Sequence, residues 1–337
     1  MMNIYVVAKR AGVSIATVSR VINNSGSVKP VTRQKVEAAL KELNYRPNAI
    51  ARSLVVNATQ TIGVLASDVR DSYHAAAIAV LEQEFRKYGY HVILCNTGGE
   101  REKRTRYLGL LLEKKVDGMV LVGSIFKEKD SNAHILEASD TVPIVMLNSH
   151  LEGKNIFSVV CDDTEAVSKV VESLVENGHK KIAYVYDVDS FSGLAKLEGY
   201  KAGMKNAGLE IQPGWILKTA NGLEGGKAAA EKLMGNHGDL TAVIASEDIL
   251  AAGVLKGLAA KGIRVPHDMS VFGYNNSVIA RCTTPELSSV DNKVDVLARE
   301  AASMLYQVLQ GNEVPHLNTV IARLVFRESG PVPCIYK

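Results

Sequence analysis

The chain has 337 residues, a net charge of +3 and 47% hydrophobic content, and that length predicts roughly two to three domains with ample core. Its four cysteines (Cys95, Cys161, Cys282, Cys334) are scattered without a CxxC pair, so neither a disulfide framework nor a zinc site is indicated. The absence of an apolar signal core and of any run long enough to span a bilayer makes a cytoplasmic protein the expectation.

Charge is unevenly placed. Residues 1–58 carry nine basic side chains against two acidic ones (Glu37, Glu42), whereas the remainder is net negative. A basic domain-sized segment joined to a mildly acidic body fits phosphate binding at one end only.

In chain order, Ile4, Val7, Ala8 and Ala11 fall at helical spacing and form one apolar stripe. Gly12 supplies the positive φ of a sharp reversal, and Ser14 suits the N-cap of the next helix. There Val18, Val21 and Ile22 face inward, while Ala16, Ser19, Arg20 and Asn23 share the outer face. This is the pattern of a helix-turn-helix whose second helix enters the DNA major groove. Spacing alone would also allow an ordinary helical hairpin. A third helix opens near Thr32 as its cap, buries Val36, Leu40 and Leu43, and ends at Asn44-Tyr45-Arg46-Pro47. The short helical pattern 48–55 and the polar stretch 57–61 read either as a plain linker or as a hinge helix ordered on DNA. In the second case Leu54 wedges between base steps of the minor groove.

From Thr61 onward short β-rich runs alternate with helical stretches. Strands are expected at Ile62–Ala66, Val92–Cys95, Gly118–Val122, Ile144–Leu147 and Ser158–Cys161. A second series comprises Ile182–Tyr186, Ile216–Lys218, Ala242–Ala245 and Ser270–Gly273. The alternation is the βαβ signature of α/β architecture, here two doubly wound parallel-sheet lobes with a ligand cleft between them. No GxSxG, HExxH or GxGxxG occurs. Gly222–Ala228 imitates a P-loop but is one residue short and lacks its Ser/Thr. An enzyme is therefore not expected, nor a cofactor or metal.

Several segments together resemble the LacI/GalR family of bacterial transcription regulators across essentially the whole chain. They are residues 7–23, Thr32-Arg33-Gln34-Lys35-Val36, residues 44–54, Lys115-Val116-Asp117-Gly118, residues 177–183, Val271-Phe272-Gly273-Tyr274 and residues 284–290. The hinge segment closely resembles that of the family's purine-repressor branch. One departure is Val6, where the family usually has an acidic residue in the first helical turn.

The resemblance implies a small all-α headpiece (1–46), a hinge helix and linker (47–60) and a periplasmic-binding-protein-like effector and dimerisation domain (61–337). Within the last, the first lobe would comprise about 61–161 with 291–322, and the second 162–290 with 323–337. It implies a homodimer on double-stranded, near-palindromic operator DNA. Ile15, Ala16 and Arg20 would meet base edges, with Leu54 in the minor groove. Tyr5, Ser14, Thr17, Ser19, Asn23 and Thr32 would meet the DNA backbone.

For a small, sugar-like effector, the family's polar positions in the second lobe correspond to Lys196, Glu247 and Asn275, and its stacking aromatic to Asn221. In the first lobe the loop carrying Tyr73 and His74, together with Asn148 and Asp163, should face the cleft. Lysine cannot reproduce the planar fork of an arginine, so a copied hydroxyl pattern is not expected. His74 could equally be a surface histidine, and Lys196 and Glu247 could simply pair. Trp215 reads as core. The expected function is effector-controlled transcriptional regulation, most simply repression. The alternatives are a sugar-binding protein without DNA activity and a regulator controlled without an effector.

Overall fold

The computed structural model describes residues 4–22, 26–45, 59–236 and 239–331. The chain divides into two compact units, residues 1–60 and 61–337.

The first unit holds α1 (Ile4–Ala11), α2 (Ile15–Ile22) and α3 (Pro30–Glu42). Gly12 turns the chain between α1 and α2 with φ +65°. Ser14 then caps α2, its Oγ accepting the Thr17 amide at 3.2 Å. Val7, Ala8, Val18, Val21, Val36 and Ala39 form the shared core, with Leu40 and Leu43 packing from partly buried positions. The third helix starts three residues earlier than a cap at Thr32 would set. Pro30 occupies its first turn after Lys29, so Thr32 lies inside the helix rather than capping it. Proline's fixed φ and missing N–H favour that first position. Asn23, Leu54 and the whole 48–55 segment lie outside the described residues.

The second unit contains two six-stranded sheets. The first comprises β1 (Thr61–Ala66), β2 (His91–Asn96), β3 (Gly118–Val122), β4 (Ile144–Leu147), β5 (Ile156–Cys161) and β11 (Leu317–Val320), in the order β11-β5-β4-β3-β1-β2. The second comprises β6 (Ile182–Tyr186), β7 (Ile216–Lys218), β8 (Ala242–Ala245), β9 (Ser270–Tyr274), β10 (Ser288–Asp291) and β12 (Arg323–Val325), in the order β12-β10-β9-β8-β6-β7. Every pairing is parallel except β10 with β12. Central strands are buried throughout, as two-sided coverage by helices requires.

The helices that matter for the site are α4 (Ser72–Lys87), α5 (Arg101–Glu113), α6 (Ala133–Ser139), α7 (Asp163–Glu176), α8 (Phe191–Asn206), α9 (Gly222–Asn236), α10 (Asp248–Ala260), α11 (Val278–Cys282) and α12 (Val294–Leu309). The chain crosses between lobes after β5, after β10 and after β11, since α12 packs into the first lobe's core while β12 joins the second sheet. Strands β10, β11 and β12 are absent from the sequence-based expectation. Each is only three or four residues long, and β10 is Ser-Ser-Val-Asp, which carries no apolar run. Ser288 and Ser289 are nonetheless fully buried, because Ser288 bonds the Ser329–Arg327 segment and Ser289 donates to Asp248.

Helices α9 and α10 meet through glycines. A Cβ on Gly226 would lie 2.1 Å from the Leu250 carbonyl oxygen, and one on Gly253 would lie 2.2 Å from that of Leu223. The P-loop look-alike at 222–228 is thus a helix start shaped for close packing. Trp215, 5% exposed, belongs to the second lobe's core.

Candidate functional site

The headpiece presents a polar outer face on α2. Ile15 is 38% exposed, and Ala16 and Arg20 are exposed beside it. Ser14 and Thr17 share a hydroxyl–hydroxyl bond of 2.9 Å at the N-terminus of α2, where amide dipoles favour an anion. Tyr5 is 66% exposed on α1, and Thr32 is half-buried in α3. Arg10 is tied to Glu42 at 2.7 Å, an exposed pair joining α1 to α3.

The second unit holds a cavity of about 550 Å³ between its lobes, beyond the carboxyl ends of the central strands. From the first lobe Asp71, Tyr73, His74, Ser124 and Asn148 line it. From the second come Asp187, Ser190, Lys196, Asn221, Glu247 and Asn275. Of the expected effector residues only Asp163 is not among the lining. It lies behind the wall, 3% exposed, and accepts from the Ser192 and Tyr274 hydroxyls. Burial raises the Asp163 carboxyl above its ordinary range, against the opposing pull of Lys196 and those hydrogen bonds.

Local structure explains how each group arrives. Asp71 caps α4, accepting the amides of Tyr73 and His74 at 2.9 and 3.0 Å, and so delivers both rings to the cavity wall. His74 is no surface histidine: it is 14% exposed, with Nδ1 3.0 Å from the Asp68 carbonyl oxygen. Arg70, by its hydrogen bonds, holds Asp68 down to about 2. Asn148 and Asn275 follow β4 and β9 with φ of +62° and +94°, a region asparagine tolerates better than most residues. Asn275 also accepts from the Asn292 amide at 2.9 Å, linking the cavity wall to a lobe crossing.

Lys196 and Glu247 do not pair. Lys196 Nζ donates to the Ser246 carbonyl at 3.0 Å and lies 3.9 Å above the Tyr274 ring. Burial pushes the Glu247 carboxyl up to about 7 and that of Asp248 up to about 6. Ser124, Asp187 and Ser190 also line the cavity, although the sequence pattern did not single them out. Asp187 stands directly after β6, so the strand-end rule for open α/β sheets was the available signal.

Among the described residues no helix is long and apolar enough to cross a membrane. A family model described as "Bacterial regulatory proteins, lacI family" matches residues 3–48, and a periplasmic binding protein-like domain matches residues 171–330. An HTH-type transcriptional regulator from Lachnoclostridium phytofermentans is 43% identical over 330 residues, covering 97% of this chain and 99% of the relative. The lac repressor dimer bound to operator and the anti-inducer ONPF is 26% identical, with a TM-score of 0.89 over 97% of this chain and 98% of that one. The cellobiose complex of the transcriptional regulator CelR is 29% identical, with a TM-score of 0.74 over 98% of this chain and all of that one. The two lobes and the helix-turn-helix headpiece follow that architecture, and the chain belongs to the LacI family of DNA-binding bacterial transcription regulators.

Proposed function

We propose that the chain represses transcription as a homodimer on a near-palindromic operator, under control of a small polyhydroxylated effector bound between its lobes. Ile15, Ala16 and Arg20 meet base edges, and Leu54 opens a central base step. Tyr5, Ser14, Thr17, Ser19, Asn23 and Thr32 hold the DNA backbone. The observation that carries the effector half is the polar cavity, about 550 Å³ in volume and walled from both lobes by Tyr73, His74, Asn148, Lys196, Asn221, Glu247 and Asn275. Asp163 supports that wall from behind. A cavity of this size holds a mono- or disaccharide, and the similar CelR chain carries cellobiose. An effector acts by its differential affinity for open and closed lobes, and a coupling of about 1–3 kcal/mol changes operator affinity roughly 5–150-fold.

Operator fragments selected from the source genome, titrated by fluorescence anisotropy with and without sugars, test this reading. Effector-dependent affinity for a two-fold symmetric site is the expected result. Salt-sensitive binding without sequence preference would overturn it.

A further inference from the structure

The charges around the cavity are not all directly paired. Arg70 lies on Asp68 at 2.7 Å. The Asp71 carboxylate is occupied by the α4 amides. Asp248 accepts from the Ser277 amide, the Ser277 hydroxyl and the Ser289 hydroxyl at 2.6–2.9 Å. Lys196 stands over Tyr274, whose hydroxyl donates to Asp163, and its positive charge acts on both that buried carboxylate and Glu247 without contacting the latter. Glu247 and Asp187 remain. Among the described residues no basic side chain is within ion-pair distance of either, and the Glu247 carboxylate accepts no hydrogen bond. Asp187 accepts only from Ser246 Oγ, at 3.3 Å. The opposite lobe adds neutral polar groups to the same cavity, Ser124 and Asn148, so the acidic pair faces hydrogen-bonding partners and no further charge of its own sign at those two positions.

We propose that the effector carries a protonated amine, as an amino sugar does, with its ammonium seated on the Glu247 carboxylate beside Asp187. The inference rests on the cavity being the effector site, and it names the chemistry that site selects. A sugar phosphate or sugar acid would place its charge against two acidic groups that lack a direct ion pair. A neutral sugar would leave them without one. An ammonium supplies that direct partner, and its attached ring keeps hydroxyls for Asn148 and Asn275.

The test is calorimetric titration of the full-length protein with matched sets built on glucose, galactose and mannose. Each set contains the neutral sugar, its 2-amino form, its N-acetylated form, its uronic acid and its 6-phosphate. The amine of at least one set should bind roughly tenfold or more tightly than its neutral parent. Its affinity should fall between about pH 7 and pH 5.5 as Glu247 takes up a proton, under the combined influence of Lys196, Asp187, Asp71 and Asp248. Glu247→Gln keeps the shape of the site and removes the charge. It should bring the amine-to-parent ratio close to one and abolish that pH dependence, with thermal unfolding confirming a folded protein. Tighter binding of a neutral or anionic member, or an unchanged ratio in the variant, overturns the amine proposal and leaves the cavity as the effector site. Silence from every member overturns both.

Discussion

The hydroxyl of Ser124 donates to the hydroxyl of Ser190 across 2.8 Å, and this bond joins the two lobes at the wall of the cavity. Ser190 has a second duty as the N-cap of α8, accepting the Gly193 amide at 3.2 Å. The two roles separate by mutation. Ser124→Ala removes the latch alone, worth about 0.5–1.5 kcal/mol, and should loosen binding of a closure-dependent effector roughly 2- to 12-fold. Ser190→Ala removes latch and cap together, adding about 1 kcal/mol of lost stability. Titration calorimetry reads the first effect and thermal unfolding the second. Identical thermal penalties for both variants would show that the cap carries nothing.

Glu247 also makes stability depend on pH in a direction opposite to that of a paired carboxylate. Burial raises its pKa from 4.5 to about 7, so the folded body holds this proton more tightly than the unfolded chain does. Stability from this group is greatest below 4.5 and declines as pH rises through about 7. Gln mimics the protonated form at every pH. Glu247→Gln should therefore melt close to the parent near pH 5, yet exceed it near pH 8 by up to about 3 kcal/mol. Scanning calorimetry at the two pH values measures the gap. A constant gap would mean that Glu247 is not held neutral by its surroundings.

The same contrast marks what the sequence could and could not reveal. Strands β1, β3, β4, β6 and β8 are short apolar runs bounded by turns, and periodicity exposes them directly. The headpiece helices were legible because apolar residues recur at helical spacing within each, as do Ile4, Val7, Ala8 and Ala11, then Val18, Val21 and Ile22, then Val36, Leu40 and Leu43, against a basic background. What stayed hidden depends on partners distant in sequence. The Ser-rich β10 is a buried strand only because Arg327 satisfies the Ser288 hydroxyl, Ser329 accepts the Ser288 amide and Asp248 accepts the Ser289 hydroxyl. Asp163 was expected at the cleft surface. It is held behind it by Ser192 and Tyr274, contacts spanning 29 and 111 residues. The failure of Lys196 and Glu247 to pair is likewise a matter of geometry, since the Ser246 carbonyl and the Tyr274 ring take the lysine first.

Two glycines in helices should respond to alanine with opposite signs. Gly226 is wedged against Leu250 and Gly253, where a Cβ meets backbone atoms that cannot yield without separating α9 from α10. Gly226→Ala should cost about 1–3 kcal/mol, lowering the melting temperature by roughly 2–4 °C per kcal/mol. Gly109, exposed inside α5, has nothing within 4 Å of the added carbon. Gly109→Ala should stabilise by about 0.5–1 kcal/mol through helix propensity and a less flexible unfolded chain. Both variants can be measured in one thermal-denaturation series. A neutral Gly226→Ala would mean that the α9–α10 contact is looser than its backbone distances indicate.

The reading head itself turns on what Arg20 does beyond carrying charge. It is exposed on the outer face of α2, close to Ile15 and Ala16. An arginine there can fork onto guanine O6 and N7, whereas lysine keeps the charge but not the fork. Arg20→Lys should therefore leave salt-dependent, nonspecific DNA binding nearly intact. It should also cut discrimination for the operator by about 1–3 kcal/mol, concentrated at one symmetric base pair. Tyr5→Phe, at an exposed position on α1, should instead weaken all DNA sequences by a similar factor under its proposed role as a backbone contact, since such a contact fixes register without reading bases. Anisotropy titrations against the operator, single-base variants of it and unrelated duplex, at two salt concentrations, separate the two behaviours. Uniform weakening by Arg20→Lys would move base reading from Arg20 to its neighbours Ile15 and Ala16.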